Sequence, residues 1–215
     1  MQAYKFKSLT QQKDITHGIS TREFGSVKKE DSSINMANLE NFLTNLNLPP
    51  QGICMEQVHS TNVSEVENND RFLIPNSDGL ITNQKNIPLC VVTADCLPIL
   101  FFDYEKKIIG VGHGGRKGLL AGIIKNVVEK FKKDYNSDPA NIIVGIGPGI
   151  EKKCYEVDGQ LMDLRKMAHE MLLEEGVRVE NIEDLDMCTK CNKDLFYSYR
   201  GGDNLQRFVT VISLI

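Results

Sequence analysis

Three side chains in this sequence, His59, Cys96 and His113, have the chemistry of a metal site or of a nucleophile and its base. Cys96 follows an apolar run at residues 91–94, and His113 follows another at residues 108–112. Such runs predict buried strands, and a side chain at the end of a strand is held rigidly toward a substrate. A thiolate beside an imidazole is a nucleophile, whereas one Cys and two His with an open fourth position form a catalytic zinc site. Spacing alone leaves both interpretations open.

Short strands and a few amphipathic helices would position these side chains. Apolar and β-branched runs predict strands at residues 91–94, 99–102, 108–112, 142–146 and 208–214. Pro98 is expected to help separate the first two of these strands. Apolar residues recur at helical spacing in residues 39–46, 119–131 and 161–172, and Asp158 is the expected N-cap of the last helix.

The order of these elements predicts the fold class. The strands around Cys96 are too close in sequence for parallel crossovers, so we expect them to be hairpin neighbours. Strands interleaved with a few long helices predict an α/β or α+β fold with a mixed sheet and helices on its outer faces. At 215 residues and 41% hydrophobic content, the chain can bury a full core as a single domain over residues 1–215.

Composition excludes several classes of function. The net charge is −4 and the basic residues are dispersed, whereas nucleic-acid binding needs a basic face. No apolar stretch is long enough to cross a membrane, and residues 1–10 lack the apolar region of a signal peptide. The six cysteines are therefore expected to be reduced thiols or ligands in a cytoplasmic protein. Cys188 and Cys191 have metal-ligand spacing, but no second such pair exists, so two free thiols are expected.

A glycine-rich turn follows His113 and precedes a predicted helix. The free backbone N–H groups of Gly114 and Gly115, with the charges of Arg116 and Lys117, could hold an anion such as phosphate. Alternatively, the glycines serve only to let the backbone turn sharply.

Several segments of the chain resemble the signature segments of the laccase-domain family, whose members have been called polyphenol oxidases, peptidoglycan editing factors and purine nucleoside phosphorylases. These segments are residues 16–22 (THGISTR), 57–59 (QVH), 93–98 (TADCLP), 112–118 (GHGGRKG), 147–150 (GPGI), 154–157 (CYEV) and 197–200 (YSYR). The resemblance implies a layered α/β/β/α sandwich. It also implies that His59, Cys96 and His113 bind zinc.

The function implied by this resemblance is zinc-dependent phosphorolysis of purine nucleosides. Adenosine, inosine or guanosine would react with phosphate to give ribose 1-phosphate and the free base, and adenosine deaminase and methylthioadenosine phosphorylase activities would be additional. Asp95, beside Cys96, is the candidate for proton transfer or ligand orientation. Arg22, Asn35 and Arg200 are the other candidates for binding substrate or phosphate.

The glycine-rich turn departs from the family pattern, and other functions stay open. The family usually has His-Ala-Gly-Trp-Arg-Gly, whereas here Gly114, Arg116 and Lys117 replace the alanine, tryptophan and arginine. One alternative is a cysteine hydrolase or deamidase with Cys96 as nucleophile, as in the similar deamidase domain of the cytotoxic necrotizing factors. Another is a copper-dependent polyphenol oxidase, although multicopper sites need more histidines than the four present. The last alternative function is that of a peptidoglycan editing factor.

Overall fold

The computed structural model describes residues 1–215, and its β-branched and aromatic runs form two stacked sheets. The strands are β1 (Ile15–Ile19), β2 (Cys54–Met55), β3 (Val63–Glu65), β4 (Leu73–Ile74), β5 (Gly79–Thr82), β6 (Leu89–Thr93), β7 (Leu97–Asp103), β8 (Ile108–Gly114), β9 (Ile142–Ile146), β10 (Glu156–Val157), β11 (Gln160–Leu161), β12 (Ile182–Asp184) and β13 (Phe208–Leu214). The helices are α1 (Lys7–Thr10), α2 (Met36–Asn45), α3 (Arg116–Ala121), α4 (Ile123–Tyr135) and α5 (Leu164–Glu174).

The larger sheet has six strands in the order β12-β9-β7-β8-β5-β3. Its central pairs are antiparallel, whereas the outer pairs β12-β9 and β5-β3 are parallel, so the sheet is mixed as predicted. The smaller sheet is antiparallel in the order β1-β13-β6. Two further pairs, β2-β4 and β10-β11, lie outside these sheets.

Alternating side chains of β7 pack into two different cores. Leu100 and Phe102 face the three-stranded sheet, while Ile99 and Phe101 face α4 and α5. Successive side chains of a strand point to opposite faces, so one continuous apolar strand joins both layers. On the far side, Phe42 of α2 packs against residues of β6 and β13. The layers are therefore helix, sheet, sheet and helix, which confirms the expected α/β/β/α arrangement.

Four predictions about local structure need correction. The strands β6 and β7 are not hairpin neighbours, because they belong to different sheets and the turn at residues 94–96 carries the chain between them. Pro98 does not enforce that break but lies within β7, paired with His113. The helix predicted at residues 119–131 is interrupted at Gly122, whose φ of 95° ends α3. Asp158 lies at a β-turn, and Asp163 caps α5 instead by accepting a hydrogen bond from the backbone N–H of Lys166.

No helix has both the length and the apolar character needed to cross a membrane.

His17 is buried in β1 as a neutral acceptor, so it should make the protein sensitive to acid. Its Nε2 accepts a hydrogen bond of 2.9 Å from the backbone N–H of Phe6. Burial lowers its pKa to about 4, helped by Lys5 and opposed by Glu183. The unfolded chain, with an ordinary pKa near 6.5, therefore binds more protons between pH 6.5 and 4. Stability is full above pH 6.5 and falls as pH drops through this window, by on the order of 3 kcal/mol from His17.

Urea unfolding across this pH range tests the effect. His17→Gln keeps a hydrogen-bond acceptor but cannot titrate, so we expect a flatter dependence of unfolding free energy on pH. Parallel curves for the variant and the wild type would contradict the assignment.

Candidate metal centre

Three donor atoms from three separate elements meet at one end of the sheets. His59 lies in the loop between β2 and β3, Cys96 in the turn between β6 and β7, and His113 near the end of β8. Their donor atoms all lie within 4.8 Å of one another, and Cys96 Sγ is 3.8 Å from His59 Nε2. One soft thiolate and two imidazoles suit a metal ion that prefers nitrogen and sulfur ligands. The folded chain thus assembles the set identified from the sequence.

The buried carboxylate of Asp78 fixes the two histidines relative to each other. Its Oδ1 lies 2.8 Å from His113 Nδ1 and accepts a 3.0 Å hydrogen bond from the backbone N–H of His59. Its Oδ2 accepts hydrogen bonds from the backbone N–H groups of Val58 and Ser60, at 3.1 and 2.7 Å. Because Nδ1 of His113 is bonded to Asp78, Nε2 is the ring nitrogen that remains to face Cys96. A carboxylate that orients an imidazole in this way is typical of metal-binding histidines.

The loop that carries His59 is also tied to the smaller sheet. Gln57 Nε2 donates to the carbonyl of Val92 at 2.9 Å, and Gln57 Oε1 accepts from the Val92 N–H at 3.0 Å. His59 itself has a φ of 61°, in the left-handed region that non-glycine residues seldom adopt. Gly115 packs against it so closely that a Cβ there would lie 2.7 Å from His59 Cδ2. Only glycine fits at position 115 without displacing the imidazole.

Asp95 anchors a distant segment to the turn that carries Cys96. Its Oδ1 accepts hydrogen bonds from Thr189 Oγ1 at 2.7 Å and Ser198 Oγ at 2.6 Å. Its Oδ2 accepts from the backbone N–H of Arg200 at 2.7 Å. Both oxygens are therefore engaged, an arrangement that favours orientation over proton transfer as the function of this residue.

The electrostatics of the site couple Asp78, His113 and Cys96. Burial raises the pKa of Asp78, but hydrogen bonds from His113 and Ser60 outweigh this and lower it to about 2. Burial lowers the pKa of His113, whereas the charges of Cys96 and Asp78 raise it to about 9. Burial raises the pKa of the Cys96 thiol, but the two imidazoles lower it to about 6. Without a metal, a thiolate beside an imidazolium is the favoured state.

A cavity of about 410 Å³ opens from the three donor atoms. Lys28, Arg200 and Arg207 line it, together with Tyr155 and Tyr199. The guanidinium of Arg200 lies 5.4 Å from the centroid of the Tyr155 ring. Burial lowers the pKa of both Lys28 and Arg207. The cavity has the size of a small-molecule site, and its three cations favour an anionic ligand.

The other residues predicted to bind substrate are not all brought together. Arg200 lines the cavity, but Arg22 is paired with Asp203 and stacks on the Tyr197 ring at 4.3 Å. Asn35 caps α2, where its side chain accepts from the backbone N–H of Asn38. Gly114 ends β8, and Gly115 adjoins His59 and Cys96. Arg116 and Lys117 form the first turn of α3, and neither lines the cavity.

Several residues of the site were not found from the sequence. Asp78 has no neighbour in sequence that indicates a site, because its partner His113 is 35 residues away. Lys28 and Arg207 come from the two ends of the chain, where nothing in their neighbours indicates a shared cavity. Tyr155 lies within a segment that resembles the family, which was the available signal for it.

Known proteins similar to this chain agree with this fold. The family model described as multi-copper polyphenol oxidoreductase laccase matches residues 13–162 and 158–215. Purine nucleoside phosphorylase YlmD of Bacillus subtilis (strain 168) is 28% identical, over 87% of this chain and 84% of the relative. Purine nucleoside phosphorylase Cj1217c of Campylobacter jejuni is 33% identical, over 75% of this chain and 76% of the relative. Among solved structures, the hypothetical protein YfiH of Bacillus licheniformis has a TM-score of 0.85 at 23% identity, covering 94% of this chain and 93% of that one.

Proposed function

Since this chain belongs to the multi-copper polyphenol oxidoreductase laccase family, we propose that it is a zinc-dependent purine nucleoside phosphorylase. Its substrates would be adenosine, inosine or guanosine, together with phosphate. The observation that carries the proposal is the Cys96, His59 and His113 set at one end of a cavity lined by three cations. Relatives over most of the chain length bear the name purine nucleoside phosphorylase, which supports the same conclusion.

The donor set fits zinc better than a copper centre. Zinc takes imidazole and thiolate ligands in tetrahedral sites and keeps one position open when the site is catalytic. Only two of the four histidines lie here, because His17 is buried in β1 and His169 contacts Asp184. A multicopper oxidase needs more imidazoles than this site offers. Bound zinc would supply Lewis acidity toward an oxygen of substrate or phosphate.

The cavity residues have distinct functions in this proposal. Lys28, Arg200 and Arg207 would bind phosphate, while the rings of Tyr155 and Tyr199 would pack against the purine. A phosphate oxygen would attack the anomeric carbon of the ribose as the bond to the base nitrogen breaks. The base would leave with the bonding electron pair and take up a proton, giving ribose 1-phosphate. Asp95 accepts a hydrogen bond from the backbone N–H of Arg200 and would thereby position Arg200, one of the three cations that line the cavity.

Phosphate-dependent release of hypoxanthine from inosine tests this function. Zinc-loaded protein should release hypoxanthine and ribose 1-phosphate with phosphate present, and should release neither base nor sugar without it. Adenosine and methylthioadenosine in the same assay would measure the additional activities, with inosine as the product of deamination. Absence of turnover on all of these nucleosides would contradict the proposal.

Removal of either histidine should cost the metal at this site but not the fold. His59 is exposed and neither histidine belongs to an apolar core, so we expect His59→Ala and His113→Ala to keep native circular dichroism, with a lower free energy of unfolding in His113→Ala because Asp78 loses its partner. Zinc affinity at this site should fall by more than about 100-fold, together with activity, because a direct ligand matters more than its outer partner. Metal analysis after dialysis measures the loss. Unfolding of both variants would indicate a structural metal instead.

The ionisation of Cys96 favours a second candidate function. Its lowered pKa and the raised pKa of His113 describe a thiolate and imidazolium pair, as in cysteine hydrolases and deamidases. In that case Cys96 would attack an acyl carbon and His113 would protonate the leaving group. Alkylation with iodoacetamide separates the two functions, because zinc would protect Cys96 whereas a catalytic nucleophile would react rapidly.

A further inference from the structure

A second cluster of metal-binding side chains lies outside the candidate metal centre. The sulfur atoms of Cys154, Cys188 and Cys191 all lie within 4.8 Å of one another, and those of Cys154 and Cys191 are 3.5 Å apart. All three are free thiols. The expectation of two free thiols at Cys188 and Cys191 did not include Cys154, which is distant in sequence.

The backbone brings these cysteines together independently of their side chains. Gly149 and Cys188 form a parallel bridge, with the Gly149 N–H donating to the Met187 carbonyl at 3.1 Å. The Thr189 N–H donates to the Gly149 carbonyl at 3.1 Å. The segment that leads to Cys154 is therefore fixed beside the segment that begins at Cys188.

The spacing of the sulfurs fits one tetrahedral ion. A Zn–S bond of about 2.3 Å places the sulfurs of a tetrahedral site about 3.8 Å apart, comparable with the separations in this cluster. A disulfide would use only two of the three cysteines and leave the third unexplained. The three thiols share protons: burial raises the pKa of Cys188 but its hydrogen bonds lower it, whereas hydrogen bonds from Cys188 and Cys154 raise the pKa of Cys191 to about 11. The geometry of the three sulfur atoms therefore carries the assignment.

We propose that Cys154, Cys188 and Cys191 bind a second zinc ion through three thiolates. Cys188 is buried and Cys191 is exposed, so the fourth position of the ion would face solvent. Three thiolates and one zinc carry a net negative charge, which Lys153 would offset in part, since it lies close enough to interact with the charges of Cys191 and Cys154 but is also paired with Glu151 at 2.7 Å.

This ion would hold the wall of the cavity in place. Tyr155, which follows Cys154, lines the cavity, and Thr189, which follows Cys188, donates a hydrogen bond to Asp95. Zinc at the cysteines would therefore join two segments that both reach the candidate metal centre. The proposal concerns a different set of ligands and does not depend on the nucleoside phosphorylase activity.

Zinc counting in paired variants of the full chain tests the proposal. His59→Ala, purified with a reductant, should retain one zinc per chain, and adding Cys191→Ser should remove it. Lys190→Ser in the same background is the matched control and should retain the ion. Cobalt substitution should give a thiolate charge-transfer band in His59→Ala that disappears with Cys191→Ser. Because Cys191 is exposed, its replacement should not prevent folding.

The outcomes distinguish this proposal from the proposed function. Loss of one zinc in Cys191→Ser but none in His59→Ala would support the cysteine site and contradict the zinc site at His59. Reduced His59→Ala protein that binds neither zinc nor cobalt would overturn the cysteine site. A Cys154–Cys191 disulfide in the purified protein, with no zinc binding after reduction, would overturn it as well.

Discussion

Replacing Cys96 with serine is expected to remove zinc and activity together. A neutral hydroxyl is a much poorer zinc ligand than a thiolate, so affinity at the candidate metal centre should fall by more than about 100-fold. Excess zinc should partly restore both metal content and turnover. His59 supports this expectation, because a simple Cys and His catalytic pair does not need a second imidazole, whereas a zinc site does.

The measurement is zinc content and inosine phosphorolysis on the same preparations. Counting zinc also in a Cys191→Ser background, with Cys191→Ser alone as the reference for both zinc content and turnover, restricts the count to the candidate metal centre. If Cys96 were instead a nucleophile, serine would abolish turnover because its hydroxyl is far less ionised than a thiol. An inactive Cys96→Ser protein with an undiminished zinc content would therefore contradict the zinc assignment.

Asp78→Asn should weaken both the fold and the metal site. Each carboxylate oxygen of Asp78 accepts at least two hydrogen bonds, so an amide NH₂ at either position would face donors. Buried donors left without acceptors, with a lost ionic partner for His113, should cost about 3–5 kcal/mol in the free energy of unfolding. Zinc affinity should also fall by about 10–100-fold, because His113 loses the partner that orients it.

Asp103→Asn is the matched control for this prediction. Asp103 is also fully buried and accepts hydrogen bonds from the backbone N–H groups of Glu105 and Lys106, but it lies at the other end of β7. Its replacement should reduce stability in urea while leaving zinc affinity unchanged. Equal losses of zinc affinity in both variants would show that general destabilisation, and not the orientation of His113, explains the effect.

The periodicity of apolar residues predicted the bounds of strands and helices better than it predicted which strands pair with each other. The strands β9 and β13 have the predicted bounds because each is a run rich in apolar and β-branched residues that begins directly after a polar residue, Asn141 and Arg207 respectively. The separation of β6 and β7 into two sheets could not be predicted, because an apolar run has the same appearance in either sheet. Gly122 lies within the apolar helical pattern, which gives no sign that its backbone is left-handed.

The candidate site shows the same division between local and distant information. Cys96 and His113 adjoin recognisable strands, and their residue types alone indicate possible chemistry. Asp78 could not be identified, because its importance depends on donors contributed by the loop at residues 58–60 and by His113. The third cysteine of the second cluster, Cys154, was missed for the same reason.

The crossing of the chain between the two sheets has a mechanical consequence. Cys96 lies on that crossing, His113 belongs to the larger sheet, and Gln57 ties the His59 loop to the smaller one. The donor atoms therefore span the seam between two layers that are otherwise joined mainly by apolar packing, which is nondirectional. A metal ion bound there would link the two sheets through directional bonds. Sliding of one sheet over the other would stretch these bonds, so a bound ion would make the two-sheet structure more resistant to shear.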